Sequence, residues 1–243
     1  MKRKRFLLIA GHGQGDPGAV TEYHQESVMT RELVSALSDL LKPYADVDVF
    51  DINKNMYKFL KTNSFDFTKY DYVFEGHFNA CVNDTTGDGE TTGTEILVHP
   101  SEKATTVEDL ILKNISRLGF ENRGVKKNRY DLQNMNICKG KQGVSYALLE
   151  TCFIDDIDDI KLYMSLKKNV AEAIANGIIE GFGLEKSDKF DDIAECYGRQ
   201  HINELAEMGI INGKGDGKFY PKEYITREDI AIMIRNTIKY IKG

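Results

Sequence analysis

The stretch "FLLIAGHGQGDPGAV", residues 6–20, joins an apolar run to a glycine-rich loop that carries one histidine, His12. A short apolar run bounded by glycine is typical of a buried strand, and the basic residues before it indicate a solvated strand start. The loop does not fit a phosphate-binding motif, because its glycine spacing departs from G-x-G-x-x-G after Gly15 and no G-K-[ST] follows. His12 therefore lies at the end of a strand for a reason other than phosphate binding.

The first 183 residues alternate apolar runs with amphipathic stretches. Apolar residues at helical spacing predict helices over residues 26–41, over "TVEDLILKNISRL", and over residues 156–182 before Gly183. The predicted strands are "RFLLIAG", "VDVFD", "DYVFEGH", "TEILVH" and "SYALLETCF". This order predicts an α/β domain with a mostly parallel central sheet flanked by helices on both faces.

Three of these strands end in a polar group that can do chemistry. His12 and His77 each follow an apolar strand and a glycine, and the strand "SYALLE" ends in Glu150. Ligands of open α/β sheets collect outside the carboxyl ends of the strands, so the three side chains are expected to meet if their strands are neighbours. An apolar strand gains nothing from a terminal carboxylate unless it is solvated or paired. The repetition over three strands therefore favours a functional site.

Two imidazoles beside carboxylates are the ligand set of a zinc site. His12 and His77 supply two ligands, and a catalytic zinc site usually needs a third protein ligand and an open water position. On residue type alone, Glu22, His24 and Glu26 at the start of the first helix are all candidates for the third ligand.

The amino-acid composition and charge of the chain limit the classes of binding partner. Lys and Arg number 32 against 38 Asp and Glu, a net charge of −6, which excludes the global basic field of a nucleic-acid-binding protein. No apolar run approaches the roughly 18 residues that cross a bilayer, so no membrane insertion is expected. The apolar run near the start lacks the length and the cleavage site of a signal peptide. We therefore expect synthesis in the cytoplasm without an export signal.

The order of the motifs adds a family resemblance. "GHGQGDPGA", a glutamate that opens a helix, "EGHFNA" and "LLETCFID" are similar to the motifs GHGGxDPGA, Glu, SxHxNA and ExxFxxN of the amidase-3 type of zinc-dependent N-acetylmuramoyl-L-alanine amidases. The resemblance covers most of residues 5–183. Two positions depart from it, because Glu75 stands where the family often has a small residue such as serine, and Asp155 where asparagine is common.

The resemblance implies a role for each matched position. Glu26 matches the ligand glutamate, because the small polar and apolar residues that follow it have the family's spacing, whereas Glu22 fits less well. Zn²⁺ would then be held by His12, Glu26 and His77. Glu150 matches the catalytic glutamate, which is not a metal ligand.

The implied reaction is hydrolysis of the amide between N-acetylmuramic acid and L-alanine in peptidoglycan. Glu150 would take the proton from a zinc-activated water and pass it to the departing amine. Asn79, two residues after His77, would hydrogen-bond the glycan or groups around the metal.

The end of the chain has a different pattern. Residues 184–189, "LEKSDK", are charged and predict a linker between a zinc amidase domain at 1–183 and a module at 190–243. The module resembles a single S-layer homology repeat, with the pattern F-x-D, GI-x-x-G, DG-x-F-x-P and ITR. The resemblance implies binding of a cell-wall polysaccharide through Asp192 and Arg227. One repeat alone leaves an apolar seam, which predicts a homo-oligomer or packing on the amidase domain.

These features together predict a peptidoglycan hydrolase with a wall-targeting module. Its size and domain order resemble a phage or prophage endolysin, which acts at the wall after release by a holin or by lysis. A host autolysin exported by another route, or a mature chain stripped of its signal, is the alternative origin. Two alternative functions also stay open: a non-catalytic wall-binding protein with a degenerate zinc site, and a zinc peptidase that cuts elsewhere in the stem peptide.

Overall fold

The computed structural model describes residues 3–127 and 132–242. Its contacts separate two compact units, Met1–Glu185 and Lys186–Gly243, which we call the first unit and the second unit. The strands of the first unit are β1 (Arg5–Ala10), β2 (Asp46–Val49), β3 (Tyr72–Asn79), β4 (Thr94–Val98), β5 (Asn122–Lys127) and β6 (Ser145–Phe153). Its helices are α1 (Glu26–Leu41), α2 (Met56–Leu60), α3 (Thr106–Ser116), α4 (Gln133–Met135), which continues into a π-helical turn (Asn136–Lys141), and α5 (Ile157–Phe182).

The strands form one sheet in the order β2-β1-β3-β6-β4-β5. All neighbouring strands are parallel except β4, which runs antiparallel to β6. The predicted α/β class with a mostly parallel sheet is confirmed, and the strands that carry His12, His77 and Glu150 lie side by side. The sequence analysis missed β5, because "NRGVKK" lacks apolar alternation. Such a charged strand is suited to the edge of a sheet, where its side chains stay solvated.

Both faces of the sheet are buried, as alternate residues of β1 illustrate. Phe6 and Leu8 pack in the cluster that α1, α3 and α5 cover, whereas Leu7 and Ile9 pack in the cluster on the opposite face. The residues of α2 and of the segment 133–141 that cover this second cluster are Met56, Leu60, Met135 and Cys138. A strand with two buried faces needs a continuous apolar run, and "FLLIA" has that composition.

The second unit contains α6 (Arg199–Glu207) and α7 (Arg227–Lys242), in agreement with the small, mainly helical C-terminal domain expected from the sequence. Phe190 and Phe219 pack against each other in it, with ring centroids 5.3 Å apart. Within the segment 184–189, Leu184 packs on the core of the first unit, whereas Asp188 belongs to the second unit and accepts a hydrogen bond from Nε of Arg199 at 2.7 Å. Among the described residues, no helix has both the length and the apolar character needed to cross a membrane.

Candidate metal centre

Three of the predicted site residues meet at the carboxyl ends of β1 and β3. His12 follows β1 through Gly11, His77 lies on the neighbouring strand β3, and Glu26 is the first residue of α1. The N–H of Gly11 donates to the carbonyl of Gly76 at 3.0 Å, so the two strands stay paired up to their histidines. The rings of His12 and His77 consequently lie with their centroids 4.9 Å apart.

The Glu26 carboxylate joins the two histidines. Its Oε2 lies 3.1 Å from Nε2 of His12, and its Oε1 lies 3.0 Å from Nδ1 of His77. The same oxygens accept backbone hydrogen bonds from Ala19 at 2.9 Å and Phe78 at 3.0 Å, which fix the plane of the carboxylate. Burial alone would raise the pKa of Glu26, but the hydrogen bonds from His12 and His77 hold it well below its ordinary value.

This donor set fits a zinc ion. The ligand atoms of His12, Glu26 and His77 all lie within 4.8 Å of one another. Ligands of tetrahedral zinc, bound at about 2.0–2.1 Å, lie about 3.3 Å apart, which is close to the nitrogen–oxygen distances of this group. The other candidates for the third ligand, Glu22 and His24, do not belong to this group, and Glu22 is exposed.

A second carboxylate lies against the outer ring nitrogen of each histidine. Nδ1 of His12 is 3.1 Å from Oδ2 of Asp16, and Nε2 of His77 is 3.4 Å from Oε1 of Glu75. Carboxylates in this position fix the tautomer and the orientation of a metal-binding histidine. Burial would raise the pKa of Glu75, but the contact with His77 and the hydrogen bonds from Tyr146 and Asn134 together lower it.

Glu150 lies beside His77 and has a different environment. The two residues are paired in the parallel register of β3 and β6. Oε2 of Glu150 is buried and has no hydrogen-bond partner among the described residues. Burial raises the pKa of Glu150 to about 7, although the positive charge of His77 opposes the shift. A carboxylate with a pKa near neutrality can both take and return a proton under ordinary conditions.

The loop that carries His12 is held in an unusual conformation. His12 has a φ of 61°, in the left-handed region that residues with side chains rarely adopt. The Arg31 guanidinium on α1 donates to the carbonyl oxygens of Gly11 at 3.0 Å and His12 at 2.9 Å. At Gly18 a Cβ atom would lie 2.5 Å from Oε2 of Glu26. The loop therefore depends on Arg31 and on the close approach that glycine permits.

A cavity of about 300 Å³ opens beside the two histidines. In its wall, the side-chain amide of Asn134 donates to Glu75 at 3.1 Å, and the Tyr146 hydroxyl donates to the same carboxylate. The amide oxygen of Asn134 is buried and has no partner in the described part of the chain. Asn79, at the end of β3, is not among the lining residues, and its side-chain oxygen accepts from the N–H of Ala80 at 2.9 Å.

Arg31, Asn134 and Tyr146 are site residues that the sequence analysis missed. Tyr146 lies in a predicted strand, and its hydroxyl on an otherwise apolar run was a usable signal. Asn134 gives no local signal, because its contact with Glu75 spans 59 residues of sequence. The same holds for Arg31, whose contact with the His12 carbonyl spans 19 residues.

The two residues predicted to contact a wall polymer lie in the second unit. Both carboxylate oxygens of Asp192 accept backbone hydrogen bonds, from Phe219 at 2.9 Å and from Tyr220 at 2.8 Å. Asp192 thus fixes the loop before the second helix of this unit. Arg227 is exposed and is the first residue of α7.

The fold and the site define a class of protein: an α/β domain with a histidine–glutamate–histidine group at its strand ends, suited to a divalent metal. Residues 7–180 match the amidase-3 family model, described as N-acetylmuramoyl-L-alanine amidase. The chain belongs to this family, and the resemblance drawn from its motifs is confirmed. Residues 189–231 match the S-layer homology domain, as their sequence pattern predicted.

Individual relatives agree with this assignment. The chain is 27% identical over 222 residues to the sporulation-specific N-acetylmuramoyl-L-alanine amidase of Bacillus subtilis (strain 168). This alignment covers 88% of this chain and 82% of the relative. It is 27% identical over 192 residues to the N-acetylmuramoyl-L-alanine amidase CwlM of Bacillus licheniformis, covering 75% of this chain and 70% of the relative. In fold it is similar to the crystal structure of an N-acetylmuramoyl-L-alanine amidase from Clostridium difficile 630, with a TM-score of 0.58 and 16% identity over 75% of this chain and 98% of that one.

Proposed function

We propose that the protein hydrolyses the amide bond between N-acetylmuramic acid and L-alanine in peptidoglycan, with Zn²⁺ held by His12, Glu26 and His77. The observation that carries the proposal is the Glu26 carboxylate between the two histidine rings, with Glu150 on the next strand, whose buried Oε2 has no hydrogen-bond partner among the described residues. Family membership and the two Bacillus amidases support the choice of substrate.

In this proposal the chain's own residues divide the work. Zinc in such a site lowers the pKa of water and polarises a carbonyl group. Glu150 takes a proton from the attacking water and returns it to the departing amine, a role that suits a pKa of about 7. Asp16 and Glu75 orient the two histidines through their outer nitrogens. Asn79 contributes the N–H groups of its side chain to the substrate, since its oxygen is engaged by Ala80.

The second unit is proposed to attach the enzyme to a cell-wall polysaccharide. The match to the S-layer homology domain supports this role. Arg227, exposed at the start of α7, contacts the polymer. Asp192 contributes to polymer binding indirectly, because it holds the loop at Phe219 and Tyr220. Isoleucines on one stripe of α7 are exposed and support self-association of this unit; they are Ile230, Ile234, Ile238 and Ile241.

The proposed setting is a phage or prophage endolysin that reaches the wall through a holin. Co-expression in bacteria with and without a holin tests it, because lysis is expected only when both proteins are present. Lysis without the holin would contradict this setting and leave the enzymatic proposal unaffected.

The enzymatic proposal is tested by metal analysis together with digestion of purified peptidoglycan. The expected result is one zinc per chain, new amino termini that are alanine, and glycan strands of unchanged length. Removal of zinc with a chelator abolishes the release, and added zinc restores it. Amino termini other than alanine would establish a peptidase instead. A chain that binds walls but neither binds zinc nor cleaves would establish a non-catalytic binding protein.

A further inference from the structure

The Glu75 carboxylate lies against the nitrogen of His77 that faces away from Glu26. Its Oε1 is 3.4 Å from Nε2 of His77, whereas Nδ1 of the same ring is 3.0 Å from Oε1 of Glu26. Glu75 and His77 are two residues apart on β3, so their side chains extend from the same face of the sheet.

The surroundings of Glu75 make His77 its cationic partner. Glu75 is 5% exposed, and its contacts among the described residues are His77, the Tyr146 hydroxyl and the Asn134 amide. Tyr146 and Asn134 are neutral donors. A buried carboxylate needs a positive partner or a full set of donors, since isolation from water is costly. The ring of His77, made positive by a metal on its other nitrogen, meets that need.

The same contact selects one tautomer of His77. A carboxylate only accepts hydrogen bonds, so it favours the imidazole form that carries its proton on Nε2. In that form Nδ1 has the free lone pair, and Nδ1 is the atom that faces Glu26 and the proposed metal position. Glu26 faces Nδ1 and, as a carboxylate, favours a proton there when no metal is bound. Glu75 is therefore the group that favours the tautomer able to bind the metal through Nδ1.

Glu75 is itself held from two sides. Tyr146 reaches it from β6, the strand next to β3, and Asn134 reaches it from α4. Because the carboxylate accepts from both, the Asn134 amide is oriented with its nitrogen toward Glu75. The two donors leave the Glu75 carboxylate little freedom to turn away from His77.

We propose that Glu75 is a positioning residue that holds His77 as the Nε2–H tautomer and so raises the zinc affinity of the centre. The proposal rests on the zinc site of the proposed function and concerns a residue outside its ligand set. Its partners Tyr146 and Asn134 act through Glu75 and do not touch the metal position.

The test compares the zinc affinity of Glu75→Gln with that of the unaltered protein, by competition with a coloured chelator. Loss of a carboxylate that orients a metal-binding histidine typically weakens binding by about 10- to 100-fold, and we expect a loss in this range. The matched control is Glu108→Gln. Glu108 is also a buried carboxylate that accepts from a tyrosine hydroxyl, that of Tyr72 at 2.8 Å, but it lies outside the histidine cluster. Its zinc affinity is expected to be unchanged.

A spectroscopic readout separates positioning from a general loss of structure. In the zinc-loaded protein, the long-range proton–nitrogen NMR spectrum is expected to show a slowly exchanging Nε2–H on His77. In Glu75→Gln that proton exchanges faster, while the Glu108→Gln spectrum matches the unaltered protein. If Glu75→Gln fails to fold, Tyr146→Phe replaces it and is expected to weaken zinc binding to a smaller extent.

The outcomes distinguish this inference from the proposed function. Zinc binding that is equally tight in Glu75→Gln, or in Tyr146→Phe where that variant stands in, overturns the role of Glu75 and leaves the zinc amidase proposal standing. Failure of the unaltered protein to bind zinc overturns both.

Discussion

His77 and Glu150 are paired residues on the neighbouring parallel strands β3 and β6. Both ring nitrogens of His77 contact carboxylates, whereas Oε2 of Glu150 is buried and has no hydrogen-bond partner in residues 3–127 and 132–242. The pairing places the proposed metal ligand and the proposed proton carrier side by side, and in the described part of the chain no hydrogen bond or ion pair joins their side chains. Binding and proton transfer can therefore be separated by substitution.

Glu150→Gln is expected to retain zinc and lose activity. The substitution keeps the size of the side chain but removes its ability to accept a proton, and proton transfer by such a group typically contributes about 10²- to 10⁴-fold to the rate. We expect kcat on purified peptidoglycan to fall within that range, with metal analysis still giving one zinc per chain. His77→Ala is the contrasting variant and is expected to lose zinc and activity together. Zinc loss in Glu150→Gln would instead make Glu150 a ligand.

The ionised carboxylate of Glu150 is expected to lower the free energy of unfolding of the metal-free protein. The pKa of Glu150 rises from 4.5 to about 7 on folding, so between these values the folded chain binds more protons than the unfolded chain. Its contribution to the free energy of unfolding therefore falls as the pH rises through this window. The full penalty, about 3 kcal/mol, is present above pH 7 and absent below pH 4.5.

Urea denaturation of metal-free Glu150→Gln and of the unaltered chain measures this penalty. The free energy of unfolding of the variant is compared with that of the unaltered chain at each pH. The difference in favour of the variant is expected to be up to about 3 kcal/mol larger at pH 8 than at pH 4. Other charged groups near the site, including Glu26 and Glu95, are present in both proteins and largely cancel in the difference. Glu172→Gln, at an exposed glutamate of α5, is the control and should show no such trend. A difference that does not change with pH would contradict the assignment.

Two glycines that precede the histidines are expected to respond differently to the same substitution. A Cβ on Gly11 would lie 2.3 Å from Cε1 of His77, a ring held on both nitrogens, whereas a Cβ on Gly76 would meet Leu33 at an ordinary 3.6 Å. Gly11→Ala should therefore displace His77 and lower activity by about 100-fold, the cost of a misplacement of about 1 Å. Gly76→Ala should keep most of the activity and zinc. Equal effects of the two substitutions on activity would show that the clash between residue 11 and His77 is relieved by movement of other groups.

The sequence predicted what depends on local pattern. Apolar runs ending in glycine and histidine located β1 and β3, and the apolar strand that ends in Glu150 located β6. Residue type alone left Glu22, His24 and Glu26 open, and the family resemblance favoured Glu26 over Glu22; in the structure Glu26 lies between the two histidines.

What the sequence did not predict depends on contacts between distant segments. The charged strand β5 is defined by its pairing with β4, and "NRGVKK" has no periodicity of its own. The environment of Glu75 depends on Tyr146, which is 71 residues away, and on how β3 and β6 align. Such alignments are set by packing of the whole sheet, so a motif can identify Glu75 as unusual without showing what it contacts.

Arg31→Met is expected to loosen the His12 loop while leaving the ligand set intact. The guanidinium donates to the carbonyl oxygens of Gly11, His12, Ser27 at 2.7 Å and Ile52 at 2.8 Å, a set that only a planar group with several N–H donors can bind at once. Loss of these bonds should lower the free energy of unfolding by about 1–3 kcal/mol. It should also speed hydrogen exchange at the Gly13 N–H, which donates to the Asp16 carbonyl.

Arg31→Lys separates charge from geometry, because it keeps the positive charge but cannot reach four carbonyl oxygens. It is expected to behave like Arg31→Met in both denaturation and hydrogen exchange. Arg117→Met is the control, since Arg117 is an exposed arginine directly after α3 that donates to Asn114. It should leave the exchange rate at Gly13 unchanged. Full protection of Gly13 in Arg31→Lys would show that charge alone holds the loop, because lysine reproduces the charge but not the planar set of donors.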